Sequence, residues 1–545
     1  MSHSSTENNT IPEDILWHIF SELVGPIPEP PFSNTPKPLH PIFLMRVVSQ
    51  VCSSWRGTAI GAASIWGRLI DIGFLCKQPK WWREEIMGRT KDAPLQVYGE
   101  LKLPDHGADR AFFSTLISNE WYRVESFTII AMDPTYSNDT TLWDQLWRQE
   151  APSLMVFWLD LAESTIVPFP AGTINNIMFS NYAPSLRTLK VPFELYLPSS
   201  TSWLQELITL DIPLSKPIAW ISDVLRRTPQ LAILRLSERL YAIEPSSAAI
   251  KEEPSTLAPI KMGSLREIDI FCYSTRRLVQ LFSILRFQES IFRKCIILCT
   301  DTREQDTSGL FNNISFIPSL ICGLFQQVHS GQTSFASLLI FLHADGIQIS
   351  AGRSSCSPPG YPKDPSFSFC IPAINLPFPT TILEILESLS KLNMGSVSSL
   401  LLLLEHDDAV WTTGINPRVA LHAFLSQFSG LKTLSSTPQV LRLILKSIID
   451  DPRILPSLRN VHFQFQFPNI QDLDALLSRR REIGLPLELL VFPEMVQMEN
   501  EQEDYRHLEN YQGLKVAWEP CPEDDEYVCG SGAPEVLLFR KKIWM

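Results

Sequence analysis

One apolar arrangement recurs along most of the chain: an apolar residue, two others, an apolar residue, one other, then an apolar residue. Instances start at Val124 (VESFTI), Leu154 (LMVFWL), Leu186 (LRTLKV), Leu207 (LITLDI), Leu231 (LAILRL) and Leu265 (LREIDI). Their spacings are 30, 32, 21, 24 and 34 residues. Weaker instances start at Leu338, Val397 and Leu431, and clear ones return at Leu458 (LRNVHF) and Leu487 (LELLVF). Each reads as a short strand. Amphipathic stretches between them predict helices over Ile218–Arg227, Arg277–Phe287, Pro318–His329, Ile382–Leu392, Pro417–Phe428, Pro438–Ile449 and Ile470–Arg481.

Strand-then-helix units at this period are the signature of leucine-rich repeats. Such a unit cannot bury its apolar face alone, so units stack into a solenoid with parallel strands. The pattern predicts an α/β repeat domain over residues 111–495. The strands starting at Leu186, Leu207, Leu231 and Leu265 should be neighbours in that order. Alternate side chains of a strand point to opposite faces. Lys190, Asp211, Arg235 and Asp269 then share the face turned away from the helices, with Glu267 and Arg187 near its rim. Mixed charge suits a protein ligand and not a nucleic acid, so these four are the candidate substrate-binding residues. The Asn or Cys that follows each strand in regular repeats is absent. Glu194, Ser215, Arg239 and Tyr273 stand there instead, which implies irregular turns. A non-repeating α/β domain with look-alike strands is the competing reading.

Ahead of the repeats, residues 11–24 read IPEDILWHIFSELV. Ile15, Leu16, Ile19, Phe20 and Leu23 form a wide apolar stripe on one helix. Pro12 suits its first turn, and Glu13 and Asp14 complement the helix dipole. Prolines 26, 28, 30, 31, 36, 38 and 41 then exclude regular structure. Beyond them, Leu44, Val47, Val48, Val51, Cys52 and Trp55 fit one face of a second helix, with Trp66 and Leu69 as a final anchor. Ile11-Pro12-Glu13-Asp14-Ile15-Leu16 with Ile19-Phe20 resembles the opening of an F-box. Val51-Cys52-Ser53-Ser54-Trp55-Arg56 is similar to its second helix, and Ser64-Ile65-Trp66-Gly67-Arg68-Leu69 to its close.

The chain therefore resembles F-box proteins with C-terminal leucine-rich repeats, especially the large F-box families of mushroom-forming fungi. The resemblance is strong over residues 11–72. It continues weakly through Trp81-Trp82, Ala93–Val97 and Trp121–Phe127. Ser53 and Ser54 stand where the family commonly has basic residues, and the proline loop is longer than in short F-boxes. The resemblance implies that Pro12, Ile15, Leu16, Ile19, Phe20, Leu23, Val51, Cys52 and Trp55 are core and contact positions for the Skp adaptor. Through that adaptor the chain would join the cullin of a ubiquitin ligase, and the repeats would hold a protein substrate. A scaffolding repeat protein with a degenerate F-box is the alternative.

Composition narrows the classes. At 545 residues the chain exceeds one compact core, and 45% hydrophobic with 19% charged residues is globular. A net charge of −13 disfavours nucleic acid and anionic membrane surfaces as partners. The most apolar run, Val397 to Leu404, is far short of the ~20 residues of a membrane helix. Met1 to Thr10 lacks the apolar core of a secretory signal. An intracellular protein, cytoplasmic or nuclear, is expected. The expected plan is a disordered start (1–10), an F-box with a proline-rich insert (11–72, insert 25–41), a connector (73–110), the repeats (111–495) and an acidic, solvated tail (496–545). Loops are expected at 245–260, 301–309 and 351–366. The fold class is α+β overall.

Cys52, Cys272, Cys322 and Cys370 lie beside apolar residues and read as buried thiols. Cys295 and Cys299 lack a second pair at zinc spacing, and Cys521 and Cys529 lie in the acidic segment. Phosphate loops, nucleophile elbows and His-Glu-x-x-His are absent from the sequence. Glu405-His406-Asp407-Asp408 reads as a charged loop and not a metal site. His18 and Cys52 do not read as a nucleophile pair, because Cys52 falls on the apolar face. No catalytic residue, cofactor or metal is expected, and the chain reads as a non-enzyme.

Overall fold

The computed structural model describes residues 11–25, 40–101, 108–131, 145–161, 177–191, 197–238 (except 199, 215 and 216), 257–286, 292–300, 317–331, 335–353 (except 344 and 345), 365–372, 378–404, 417–493 (except 452 and 465–467), 503–518 and 526–539. The expected disordered start, nearly all of the proline-rich insert, the loop at 301–309, most of the other two loops, the Glu405–Asp408 cluster and Cys521 lie outside them. The chain divides into two compact units, residues 1–264 and 265–545.

Among the described residues the first unit opens with four helices, α1 (Glu13–Val24), α2 (Pro41–Val48), α3 (Ser53–Gly61) and α4 (Ala63–Gly67). Strands and helices then alternate: β1 (Ile70–Asp71), α5 (Ile72–Leu75), α6 (Lys80–Thr90), β2 (Leu95–Leu101), α7 (Ala108–Glu120) and β3 (Val124–Ala131). They continue through β4 (Val156–Leu161), β5 (Thr188–Lys190), β6 (Thr209–Pro213), α8 (Ile218–Arg226) and β7 (Ile233–Ser237). From β1 to β7 each strand pairs in parallel with the next. One row of the ladder reads Ile70, Val97, Phe127, Phe157, Leu189, Leu210 and Leu234, and every member is fully buried. Phe127 and Phe157 stack with centroids 5.3 Å apart and rings 6° from parallel. The strands predicted at Leu186, Leu207 and Leu231 are neighbours in that order. The one predicted at Leu265 belongs to the second unit.

His40 ties the opening helices to the first strand. Its Nδ1 accepts from the Ile42 N–H and so caps α2, while Nε2 lies 3.1 Å from Asp71 Oδ2. Asp71 uses its other oxygen to accept from Phe74 N–H at 2.9 Å, starting α5. The imidazole stacks on Phe74 at 4.1 Å. Both polar groups are thereby satisfied where helix meets sheet.

The second unit carries all the helices expected within it. Its elements are β8 (Glu267–Cys272), α9 (Thr275–Ile284), β9 (Lys294–Cys299), α10 (Ile317–Gly331), β10 (Ser337–His343), β11 (Gly346–Gly352), β12 (Pro365–Pro372), α11 (Phe378–Leu389) and β13 (Ser399–Leu404). After them come α12 (Pro417–Leu425), β14 (Thr433–Ser436), α13 (Pro438–Asp450), β15 (Asn460–Phe463), α14 (Ile470–Glu482), β16 (Leu489–Phe492), β17 (Lys515–Trp518) and β18 (Tyr527–Val528). A single parallel sheet was expected. Parallel pairing instead gives way at β11, which is antiparallel to β10 and to β12. The spatial order there is β8, β9, β12, β11, β10, β13, so a three-stranded meander sits inside the array. The short span from His343 to Gly346 permits only a hairpin, whereas parallel neighbours need a longer crossover. Parallel order resumes from β13 through β17.

The solvated tail is a second correction. Residues 515–518 form β17, which extends the sheet beside β16, and Tyr505, Leu508 and Leu537 are buried. Glu509 accepts from the Tyr527 hydroxyl at 2.7 Å and from the Gly532 N–H at 2.8 Å. The acidic composition hid apolar anchors that close the end of the array.

Of the turn positions read as replacing the Asn ladder, Glu194, Ser215 and Arg239 lie outside the described residues, whereas the turns ahead of the strands are bonded across units. Turn serines donate to a carbonyl of the neighbouring unit's turn: Ser153 to Tyr122 (2.9 Å), Ser185 to Pro152 (3.1 Å), Ser398 to Ala336 (3.0 Å) and Ser457 to Ser429 (2.7 Å). Arginines from the segment before a strand reach back in the same sense. Arg123 donates to Ala93 O (2.6 Å), Arg227 to Pro198 O, and the fully buried Arg480 to Leu455 O (2.9 Å) and Leu458 O (2.8 Å). Burial pushes the Arg480 guanidinium down to about 10, so it stays charged at neutral pH. Buried carbonyls need such partners. We expect Arg480→Ala to destabilise by about 3 kcal/mol, because two turn carbonyls lose their donor, and Ser457→Ala by about 1 kcal/mol. Exposed Arg453→Ala should stay within about 0.5 kcal/mol. Urea midpoints followed by circular dichroism check the order; equal effects of the two arginine variants would contradict it.

Candidate protein-docking surfaces

The apolar stripe of α1 is two stripes. Leu16, Phe20 and Val24 repeat every four residues and are buried against α2, α3 and α4. Ile15, Ile19 and Leu23 repeat one position earlier, about 100° around the helix, and are 47%, 37% and 44% exposed. Pro12 and Cys52 are exposed as well, as are Ile11, Val47 and Val51. Of the nine adaptor candidates, Leu16 and Phe20 are core, Trp55 is half-buried with its ring 5.5 Å from that of Phe20, and the other six face solvent. The module holds itself together without them. Trp66 Nε1 donates to Ala59 O at 2.7 Å, and Arg68 donates to Ser21 Oγ (2.9 Å) and Gly25 O (2.7 Å).

The second helix is corrected to two. Ser49 closes α2 by donating its hydroxyl to Arg46 O, and Cys52 starts α3 as its N-cap, Sγ accepting from Trp55 N–H. A turn residue leaves the helix face, so Cys52 is exposed and not a core thiol. Cys272 is buried as expected, whereas Cys322 and Cys370 are half-buried. Cys295 and Cys299 are buried on β9. Burial pushes the Cys322 thiol up to about 11 and Cys529 up to about 12, so both stay protonated at neutral pH.

The strand face of the first unit is the other surface. Register places Trp158, Lys190, Asp211 and Arg235 side by side on β4 to β7. Lys190 Nζ lies 2.9 Å from Asp160 Oδ2, 3.7 Å from Asp211 Oδ2 and 4.2 Å from the centre of the Trp158 ring. Asp211 is buried and Lys190 largely so. The sequence thus brought Lys190, Asp211 and Arg235 to one face correctly. Asp269 lies half-buried on β8 in the second unit. Trp158 and Asp160 were missed, although they are outward residues of the strand at Leu154 and Trp158 is in register with Lys190. In the second unit the same face differs. Leu339, Leu401 and Leu403 are buried there in a cluster with Phe341, so β13 is covered on both faces and alternation fails.

Among the described residues, no group of three or more His, Cys, Asp or Glu side chains could hold a metal ion, and no helix is long and apolar enough to cross a membrane. No family model matches the chain, and no curated protein matches it. A crystal structure of the leucine-rich repeat-containing protein LegL7 from Legionella pneumophila is similar at 12% identity and a TM-score of 0.23. The alignment covers 63% of this chain and 95% of that one.

Two expectations separate exposed from structural residues. Ile15→Ser with Ile19→Ser should change stability by about 0.5 kcal/mol or less per site, while Phe20→Ala should cost about 3–5 kcal/mol. Lys190→Met removes the ammonium that lies against two largely buried carboxylates and should lower stability by about 1–3 kcal/mol, whereas Arg235→Gln should be near neutral. Thermal melts of the four variants check both pairs.

Proposed function

We propose that the opening helices are an F-box and that the chain recruits a protein substrate to a Skp–cullin–F-box ubiquitin ligase, without catalysing the transfer itself. One observation carries the reading: the exposed Ile15, Ile19 and Leu23 stripe on a helix whose neighbouring stripe is already packed. A continuous apolar stripe that the fold leaves in water marks a protein contact. By the F-box resemblance the Skp adaptor would sit on it, with Pro12, Val51 and Cys52 at its margin and Leu16, Phe20 and Trp55 supporting it from beneath. The repeats, and within them the face bearing Lys190, Asp211 and Arg235, would hold the substrate, with Asp269 belonging to the second unit.

The alternative, a scaffolding protein whose F-box no longer binds the adaptor, draws on Ser53 and Ser54. Both are exposed at the start of α3, where the family commonly has basic residues. Mixing purified Skp adaptor with the full chain decides between them. Co-elution on size exclusion is expected, lost when Ile15, Ile19 and Leu23 are all replaced by Ser and retained by Lys190→Met. No co-elution of the wild-type chain would establish the scaffold reading.

A further inference from the structure

We infer that the strand face of the first unit binds a protein segment carrying a side-chain carboxylate next to branched apolar residues, and that Arg235 receives the carboxylate. The inference rests on the reading that this face recruits a protein, and it names what that protein presents.

Charge on this face is divided unevenly. Asp160 and Asp211 both lie against Lys190, which also sits over the Trp158 ring. One ammonium is therefore shared by two carboxylates and an aromatic face. Arg235 is the next cation along the row and stands beside Asp211 in register. It makes no ion pair, hydrogen bond or ring contact among the described residues, although it is half-buried. A planar guanidinium at a partly desolvated place suits a two-pronged carboxylate. Lys190 cannot serve in its stead, because its neighbours already occupy it.

The surroundings of Arg235 supply the second half of the ligand. Ile233 lies two residues back on the same strand and on the same face, about 7 Å away along the strand. Beside Ile233, on the adjoining strands, stand Thr209 and Thr188, and Ile208 and Met155 are 43% and 42% exposed at the strand starts. Apolar patches rimmed by one or two charged anchors are the usual composition of a protein contact. The distance from Ile233 to Arg235 matches two side chains on one face of an extended segment. The corresponding face of the second unit is closed around Leu339, Leu401 and Leu403, so it offers no equivalent contact there.

The test is selection of a phage-displayed random peptide library on the immobilised full-length chain. Enriched peptides should carry Asp or Glu within a few positions of Leu, Ile or Val. Arg235→Gln should weaken an enriched synthetic peptide at least about tenfold. Changing the peptide's acid to its amide should weaken it equally, and combining the two changes should add no further loss. Ile233→Ser should also weaken it. A library that yields no peptide, a consensus without an acidic residue, or Arg235→Gln binding within twofold of wild type would overturn the inference. So would a clear preference for phosphoserine over the carboxylate in the same peptide. Adaptor co-elution is measured on the same preparations. Peptide binding without adaptor binding leaves this inference standing and removes the ligase reading; the reverse removes this inference alone.

Discussion

The structure depends on one constraint, the in-register stacking of short apolar strand rows. No strand of the first unit has more than a few inward side chains, and each of those is covered only because the strands on either side present their own at the same height. Ile70, Val97, Phe127, Phe157, Leu189, Leu210 and Leu234 are one such row. Neighbouring strands lie about 4.8 Å apart. The outward side chains inherit that spacing, which is why Lys190 can reach a carboxylate on either side while its ammonium lies over the Trp158 ring. The proposed binding face is a by-product of the core register.

Stacking also brings turn backbones close together. A Cβ at Gly67 or Gly430 would sit 2.3 Å from the carbonyl oxygen of Pro94 or Gly395, so only glycine fits those two approaches. Carbonyls packed this tightly cannot all be hydrated. The turn serines and the buried arginines supply donors to the turn carbonyls ahead of the strands. Arg480 is the extreme case, a fully buried cation whose hydrogen bonds go to backbone oxygens.

Much of this was legible from spacing alone, because apolar side chains at fixed offsets report a strand whether or not its turns are regular. Every strand started in the pattern is present, and the seven helices fall where the amphipathic stretches put them. Two strands ahead of Val124 were missed, since β1 is only two residues long and β2 begins in a segment with no clear apolar triplet. The meander of β10 to β12 was missed because an antiparallel strand carries the same alternation as a parallel one. Trp158 was overlooked as a large aromatic inside an apolar run, where bulk suggests core and not a cation platform. Cys52 was misplaced by assuming one helix across Ser49–Cys52, where two side-chain caps break it. Composition misled at the C-terminus, since Tyr505, Leu508 and Leu537 are few among many acids yet bury fully.

On α1 the same helix serves two purposes through a single residue offset. Leu16, Phe20 and Val24 hold it to the module, and Ile15, Ile19 and Leu23 remain in water. That division permits a partner to dock without disturbing the fold, and it is the central claim of the functional account. Hydrogen–deuterium exchange of the full chain with and without the Skp adaptor tests it most directly. The account requires added protection over residues 11–24 with unchanged exchange in the strands from Val124 to Ser237. Protection confined to those strands, or none over residues 11–24 at saturating adaptor, would contradict it.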